Sequence, residues 1–243
     1  MNILIACEES QTVCKAFREL GGRCFSCDIQ ECSGGHPEWH IKGDVLSLLN
    51  GNCEFTTMDG KVHKVEGQWD LIIAHPPCTY LTTAGTRHYS LRCNPPKKVA
   101  ERIKQREEAY DFFMNFVHAN CKHIAIENPV GYMNTHYRKP DQIIHPYYFV
   151  TSKDDESYEM KRTCLWLKGL PLLERRNDFD KPEAKYYLHN GQRVNWCDAQ
   201  GGKNQAERAK NRSKTFPSIA QAMAETWYNY LMEENNERKS RTN

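Results

Sequence analysis

The chain is 243 residues long, 39% hydrophobic and 26% charged, enough to bury a core without staples or a partner, and it fits one α/β domain with a small appendage. No run approaches the roughly 20 apolar residues of a membrane span, and Met1 to Ile5 reads as a buried strand rather than a signal peptide, so a cytoplasmic protein is expected. Eleven cysteines scattered through strand and helix patterns read as reduced thiols, and a net charge of +2 neither demands nor excludes nucleic acid.

Ile3-Leu4-Ile5-Ala6-Cys7 is a short apolar run that ends in the polar loop Glu8-Glu9-Ser10-Gln11. Val13, Phe17 and Leu20 follow at helical spacing until Gly21-Gly22 stops the helix. Arg23 to Asp28 reads as a second strand ending in a carboxylate. This βαβ opening brings a loop, a helix N-terminus and Asp28 to the carboxyl edge of a parallel sheet, where nucleotide-like cofactors bind. Asp28 falls about 20 residues beyond the first strand, the distance expected of a ribose-binding acid. Gly43-Asp44-Val45 lies where a third strand-end loop belongs, and the alternation around Asp59-Gly60 predicts a hairpin insertion over about residues 51–67.

Trp69 to Ala74 is a buried strand running straight into His75-Pro76-Pro77-Cys78, where two prolines stop the strand and stiffen the loop that carries Cys78. The loop from Leu81 to Pro96 is long and polar, with Arg87, His88 and Arg92, and long loops of this sort are functional or disordered. A helix from about Lys97 to Asn120 follows, with Val99, Ile103, Tyr110, Phe113 and Val117 on one stripe. Next comes the strand His123 to Ile126, ending in Glu127-Asn128-Pro129, so two successive strands deliver Cys78 and Glu127 to one sheet edge. Tyr147 to Val150 and Thr163 to Leu167 are candidate strands, Pro171 to Gly202 lacks clear periodicity, and a final helix from Ile219 to Leu231 carries Ala220, Met223, Trp227 and Leu231 on one face. Lys203, Arg208, Lys210, Arg212 and Lys214 form a basic cluster that fits a solvated helix face as well as a phosphate-binding one.

A thiol on a rigid loop beside a strand-end carboxyl suits attack on an aromatic ring. Carbon 5 of cytosine is too weakly nucleophilic to accept a methyl group unaided. A thiolate adding to carbon 6 makes it enamine-like, and an acid at nitrogen 3 neutralises the developing charge. Singly, a buried cysteine is more often inert core and a strand-end Glu a structural cap. The segments together are more specific. Pro77-Cys78-Thr79-Tyr80-Leu81-Thr82-Thr83-Ala84-Gly85 resembles the Pro-Cys-Gln-x-Phe-Ser-x-Ala-Gly catalytic loop of DNA cytosine-5 methyltransferases, with conservative changes at three positions. Glu127-Asn128-Pro129 resembles that family's Glu-Asn-Val, in the same order and on the same type of strand end.

The resemblance, to short phage-type members in particular, implies a Rossmann-like α/β fold of the S-adenosylmethionine-dependent methyltransferase type, a mostly parallel twisted sheet with helices on both faces. It implies transfer of a methyl group from S-adenosyl-L-methionine to cytosine carbon 5 of DNA through a covalent Cys78 adduct, in the host cytoplasm if the chain is virus-encoded. Cys78, Glu127 and Arg162 would be catalytic. Cys7, Glu8, Glu9, Ser10, Asp28, Ile29, Asp44, Val45 and Pro76 would contact the cofactor, Asp28 at the ribose and Asp44 at the adenine. Pro77, Thr82, Arg87, Asn128 and Lys161 would contact DNA, and no metal is implied. Phe216 to Ala224 looks like the C-terminal helix that completes the cofactor site. The organisation expected is a catalytic and cofactor-binding core over 1–170, a reduced recognition or linker region over 171–212, a returning helix over 213–232 and a flexible charged tail over 233–243.

Two departures stand out. The family's Phe-x-Gly-x-Gly loop is replaced by Ala6-Cys7-Glu8-Glu9-Ser10, without the glycines that allow close backbone approach. The recognition domain shrinks to about residues 172–212, so relaxed sequence specificity is expected, or recognition by another chain. Three other readings compete. Asp70 to Pro77 also resembles the Asp-Pro-Pro-Tyr loop of amino-methyltransferases, but Cys78 and His75 do not match it. Cys24, Cys27, Cys32, His36 and His40 are potential zinc ligands, with spacing that fits no structural zinc signature closely. A degenerate methyltransferase fold that only binds DNA would need neither Cys78 nor Glu127. A related pyrimidine carbon-5 modifying enzyme is the nearest neighbour of the main reading.

Overall fold

The apolar runs assemble into an α/β fold around a seven-stranded, mostly parallel sheet. A computed structural model describes residues 1–203, 207 and 211–242. Its strands are β1 (Asn2–Ala6), β2 (Arg23–Asp28), β3 (His40–Lys42), the hairpin β4 (Cys53–Thr56) and β5 (Val62–Val65), β6 (Leu71–Ala74), β7 (Ile124–Pro129), β8 (Gln142–Ile144) and β9 (Thr163–Lys168). Their order in the sheet is β3-β2-β1-β6-β7-β9-β8, with the hairpin apart as its own ribbon. Strands β1, β2, β3, β6 and β7 run parallel, whereas β9 is antiparallel to β7. The chain leaves β1 toward β2 on one side and later enters β6 on the other, so the loops after β1 and β6 diverge at a topological switch point, where such sheets open a crevice.

The central strands are unbroken apolar runs because both faces are covered: Ile3 to Ala6 and Leu71 to Ala74 are all fully buried. On one face, helix α2 (Pro96–Val117) contributes Phe113 and Phe116 to a cluster with Leu4, Phe25, Ile72 and Trp166. The expected stripe on α2 is corrected in two places. Ile103 is 36% exposed, and Phe116 takes the inward position expected of Val117, since Val99, Arg102, Arg106, Ala109, Phe113 and Phe116 follow the true helical period.

The chain groups into two compact units, one of Met1–Gln11, Arg23–Ile143 and Thr163–Leu170, the other of Thr12–Gly22, Ile144–Arg162 and the chain from Pro171 on. The division differs from the expected continuous core over 1–170, because the helix over Thr12–Glu19 packs on the closing helix of the second unit. That closing helix runs over Pro217–Met223, passes through one π turn at Ala224–Tyr228, and continues over Asn229–Thr242. The segment 233–242, expected as a tail, is therefore helical, and it carries an i,i+4 pair between Glu234 and Arg238. Tyr147 to Val150 is a 3₁₀ turn over Pro146–Tyr148 and not a strand. Pro146 presets the turn, and Asn177 donates to the carbonyls of Tyr147 and Val150 at 2.9 and 2.7 Å. Arg208 and Lys210 of the basic cluster lie outside the described residues. Among the described residues, no helix is long and apolar enough to cross a membrane.

Candidate active site

Parallel pairing of β6 with β7 ends with Ala74 opposite Ile126, and β7 continues to Pro129 beside the loop that follows β6. One residue beyond that pair, His75 Nδ1 lies 3.2 Å from Glu127 Oε2. Both side chains are nearly enclosed, 9% and 12% exposed. One residue further, Asn128 Nδ2 donates to the Pro76 carbonyl at 2.7 Å. These successive bonds tie the His75-Pro76-Pro77-Cys78 loop to the end of β7. Glu127 and Asn128 are themselves held in the ladder opposite Leu165 and Cys164 of β9. Cys78 follows two residues after the tie and is half-buried. Its carbonyl accepts from the amides of Leu81 and Thr82, both at 3.0 Å, so the thiol opens a tight turn. His75 Nε2 and Asn128 Oδ1 are buried without a hydrogen-bond partner, two polar atoms that a ligand with donors and acceptors would satisfy.

The turn is fastened from its far end. Thr82 bridges Gly131, and Leu81 O accepts from the Tyr132 amide at 2.7 Å. A Cβ on Gly131 would stand 1.9 Å from Leu81 O and 2.8 Å from its carbonyl carbon. Space, not backbone torsion, demands this glycine. Gly131→Ala is expected to push the Leu81–Thr82 backbone away and to destabilise by roughly 1–3 kcal/mol, a fall in Tm of roughly 5 °C. Thermal denaturation checks it, and an unchanged Tm would show that the turn is not held there.

On the other side of the switch point, β1 ends in Cys7 to Gln11. Cys7 and Gln11 both take φ of 59°, the left-handed region that favours glycine, so the sharp turn is made without glycines. Fully buried Gln11 holds it in place. Its Nε2 donates to Ser26 Oγ at 3.3 Å and His36 O at 2.8 Å, and its Oε1 accepts from the His36 amide at 3.0 Å. Gly34 sits against the same turn, where a Cβ would stand 2.5 Å from Ser10 O. His40, also fully buried, bonds Ser26 Oγ at 2.8 Å and Gln30 O at 3.0 Å, and burial holds its pKa below the ordinary value. Gln11 and Ser26 were not singled out from sequence, and His40 was weighed there only as a potential zinc ligand. Polar residues at positions of a buried strand pattern were the signal available.

The strand-end acids face this turn. Burial, then the carboxylate of Asp28, the Cys27 thiol and Asp44, push the Cys7 thiol well above its ordinary pKa, and burial with the same two acids pushes Cys27 up to about 12. Asp28 Oδ1 accepts from the Gln30 amide at 2.8 Å, and Asp44 caps the turn after β3 by accepting from Leu46 at 3.0 Å. Ile29, between them in the chain, is 77% exposed. Two carboxylates able to accept from a diol or an amine, with a bare apolar side chain beside them, fit an adenosine-like group. Glu8, Glu9, Val45 and Pro76 are buried, Ser10 and Thr82 half-buried, and Pro77 and Arg87 exposed. Thr82 accepts from the Ala84 amide as an N-cap.

A scan against family models and a search of curated proteins return no match. The site is therefore read from its own chemistry. Lys161 and Arg162 belong to the second unit, as does Phe216 to Ala224. Lys161 Nζ donates to the carbonyls of Ser213 and Lys214 at 3.3 and 2.8 Å, and the Arg162 charge, after burial, helps lower the pKa of His145 to about 4. The five residues considered for zinc do not converge: Cys24 and Cys27 are buried in β2, His36 stacks on Trp39, and among the described residues no group of three or more metal-ligating side chains comes together. All eleven cysteines are thiols.

Proposed function

We propose that the protein is a DNA cytosine-5 methyltransferase in which Cys78 is the nucleophile and Glu127 the acid. The observation that carries the reading is the tie of His75 to Glu127 and of Pro76 to Asn128, which fastens the loop that carries the Cys78 thiol to the strand end that carries the Glu127 carboxyl. The Cys78 thiolate adds to carbon 6 of a cytosine turned out of the helix, forming a sulfur–carbon bond. As it does, Glu127 gives a proton to ring nitrogen 3, leaving carbon 5 enamine-like. After carbon 5 is alkylated, its proton leaves to solvent, the sulfur–carbon bond breaks, and the nitrogen 3 proton returns to Glu127. With its proton on Nδ1, His75 donates to one carboxyl oxygen and so fixes which oxygen faces the base. The orphaned His75 Nε2 and Asn128 Oδ1 are the groups that a base edge, with both donors and acceptors, would pair.

Asp28, Ile29 and Asp44 would hold S-adenosylmethionine at the ends of β2 and β3, with the Cys7 to Ser10 turn beside it. When bound, that group supplies the electrophilic methyl. Because the described residues between Pro171 and the closing helix form only short strands and helical turns, modification is expected in many sequence contexts. Mass spectrometry of nucleosides from DNA co-expressed with the protein tests the reading. It should find 5-methyldeoxycytidine, whereas unmodified DNA or methylation on an exocyclic amine would contradict it.

A further inference from the structure

Helix α2 breaks its own pattern. Val99, Ala109, Phe113 and Phe116 lie on the stripe that faces inward, and the positions between them on that stripe hold Arg102 and Arg106, both half-buried. Neither pairs with a carboxylate among the described residues. The Arg102 guanidinium lies 4.9 Å from the ring centre of Tyr80 and 5.4 Å from that of Tyr89, and donates to Thr79 O at 3.2 Å. Arg106 lies 4.3 Å from the ring centre of Tyr89 and 4.4 Å from that of Tyr132. The Nε atoms of both are buried without a hydrogen-bond partner. Gly85 leaves room for this stack, since a Cβ there would stand 3.1 Å from Arg102 Nη2. Tyr89 closes it by donating to Tyr80 O at 2.7 Å. Rings and guanidiniums thus alternate from the Cys78 turn to α2, all within the first unit.

Aromatic faces offset only part of what it costs to take a guanidinium partly out of water. A cation–π contact contributes about 0.5–2 kcal/mol, against several kcal/mol of desolvation per ion. An anion would complete the arrangement. The surroundings point the same way: from Gly85 to Arg106 there are seven lysines and arginines and one carboxylate, Glu101, in a chain whose net charge is only +2. Arg87, Arg92, Lys97 and Lys98 are exposed and pair with no carboxylate among the described residues.

Resting on the reading of Cys78 as acting on DNA, we propose that Arg102 and Arg106, with Arg87, Arg92, Lys97 and Lys98 around them, form a phosphate-binding track for the nucleic-acid backbone beside the Cys78 turn. The fork of each arginine is set by stacking before the phosphate arrives, which suits bidentate contact to phosphodiester oxygens. Such contacts position the substrate and carry no sequence information. They also link backbone binding to the placement of Cys78, because Tyr80 belongs to both.

The test is the salt dependence of binding of a labelled DNA duplex by the full chain, compared with Arg106→Gln and with the double variant Lys97→Gln, Lys98→Gln. Each phosphate contact contributes about 0.9 to the slope of log K against log salt. Arg106→Gln is expected to reduce that slope by about 1 and the double variant by about 2, equally for unrelated sequences. Both lysines are exposed, so the double variant carries the test if Arg106→Gln does not fold. Unchanged slopes in the folded variants, or displacement of DNA by polyglutamate as readily as by unlabelled DNA, would overturn the track. Altered slopes in a protein that modifies no DNA would uphold the track and overturn the methyltransferase reading. Methyl transfer with unaltered slopes would do the reverse.

Discussion

Cys78→Ser is expected to lower DNA modification by roughly 10⁴-fold or more while leaving Tm and cofactor affinity near those of the unsubstituted protein. A thiol gives up its proton far more readily than a hydroxyl and is the better nucleophile, and carbon 5 gains reactivity only after sulfur has added to carbon 6. A serine hydroxyl fits the same half-buried position and leaves untouched the Cys78 carbonyl bonds to Leu81 and Thr82. Loss of rate without loss of stability therefore separates a chemical role from a packing one. Radiolabelled methyl incorporation measured beside thermal denaturation gives both. Full activity in Cys78→Ser would remove the nucleophile from the mechanism, and loss of the fold would show that the thiol is structural.

Glu127→Gln is expected to cost about 10²–10⁴-fold in kcat, the usual range for a general acid, with little change in KM. Glutamine keeps the shape and can still hydrogen-bond the base, so what is removed is the proton. The His75 contact at 3.2 Å makes a second measurement informative. If His75 acts by orienting the carboxyl, His75→Ala should lower kcat by roughly tenfold in the native background and have little further effect once Glu127→Gln is present. Additive losses would mean that His75 acts elsewhere, and a Glu127→Gln variant with unchanged kcat would exclude the carboxyl as the acid. His75→Asn, whose side-chain amide can stand in for the Nδ1 donor, should recover most of the rate.

The sheet was legible because its central strands are buried on both faces, and Ile3 to Ala6, Leu71 to Ala74 and Ile124 to Ile126 therefore read as unbroken apolar runs. The prolines after β6 and the carboxylate that follows the apolar run of β7 marked where those runs stop, so the shared edge of the Cys78 loop and Glu127 could be read in advance. What stayed hidden depended on contacts distant in the chain. Arg102 and Arg106 drew no notice in the sequence, and Ile103 was taken for the stripe, because nothing local shows that Tyr80, Tyr89 and Tyr132 come to lie against α2. His75 looked like a mismatch to one motif and not a partner of Glu127, 52 residues away. Gly131 is required only by the Leu81 carbonyl on another segment. Ala6 to Ser10 lacks the glycines that allow close backbone approach, and nothing local shows that Cys7 and Gln11 adopt the glycine-like conformation, held by the Gln11 bonds to Ser26 and His36. Tyr147 to Val150 has strong strand propensity, and Pro146 and Asn177 override it.

The most direct measurement is incubation of the protein and S-adenosylmethionine with DNA containing 5-fluorodeoxycytidine, followed by denaturing electrophoresis and peptide mapping by mass spectrometry. Fluorine at carbon 5 cannot leave as a proton does, so addition of the thiolate should stall as a stable protein–DNA conjugate, with the DNA attached to the peptide that carries Cys78. No conjugate with the native chain, or an equal amount with Cys78→Ser, would contradict nucleophilic attack by Cys78.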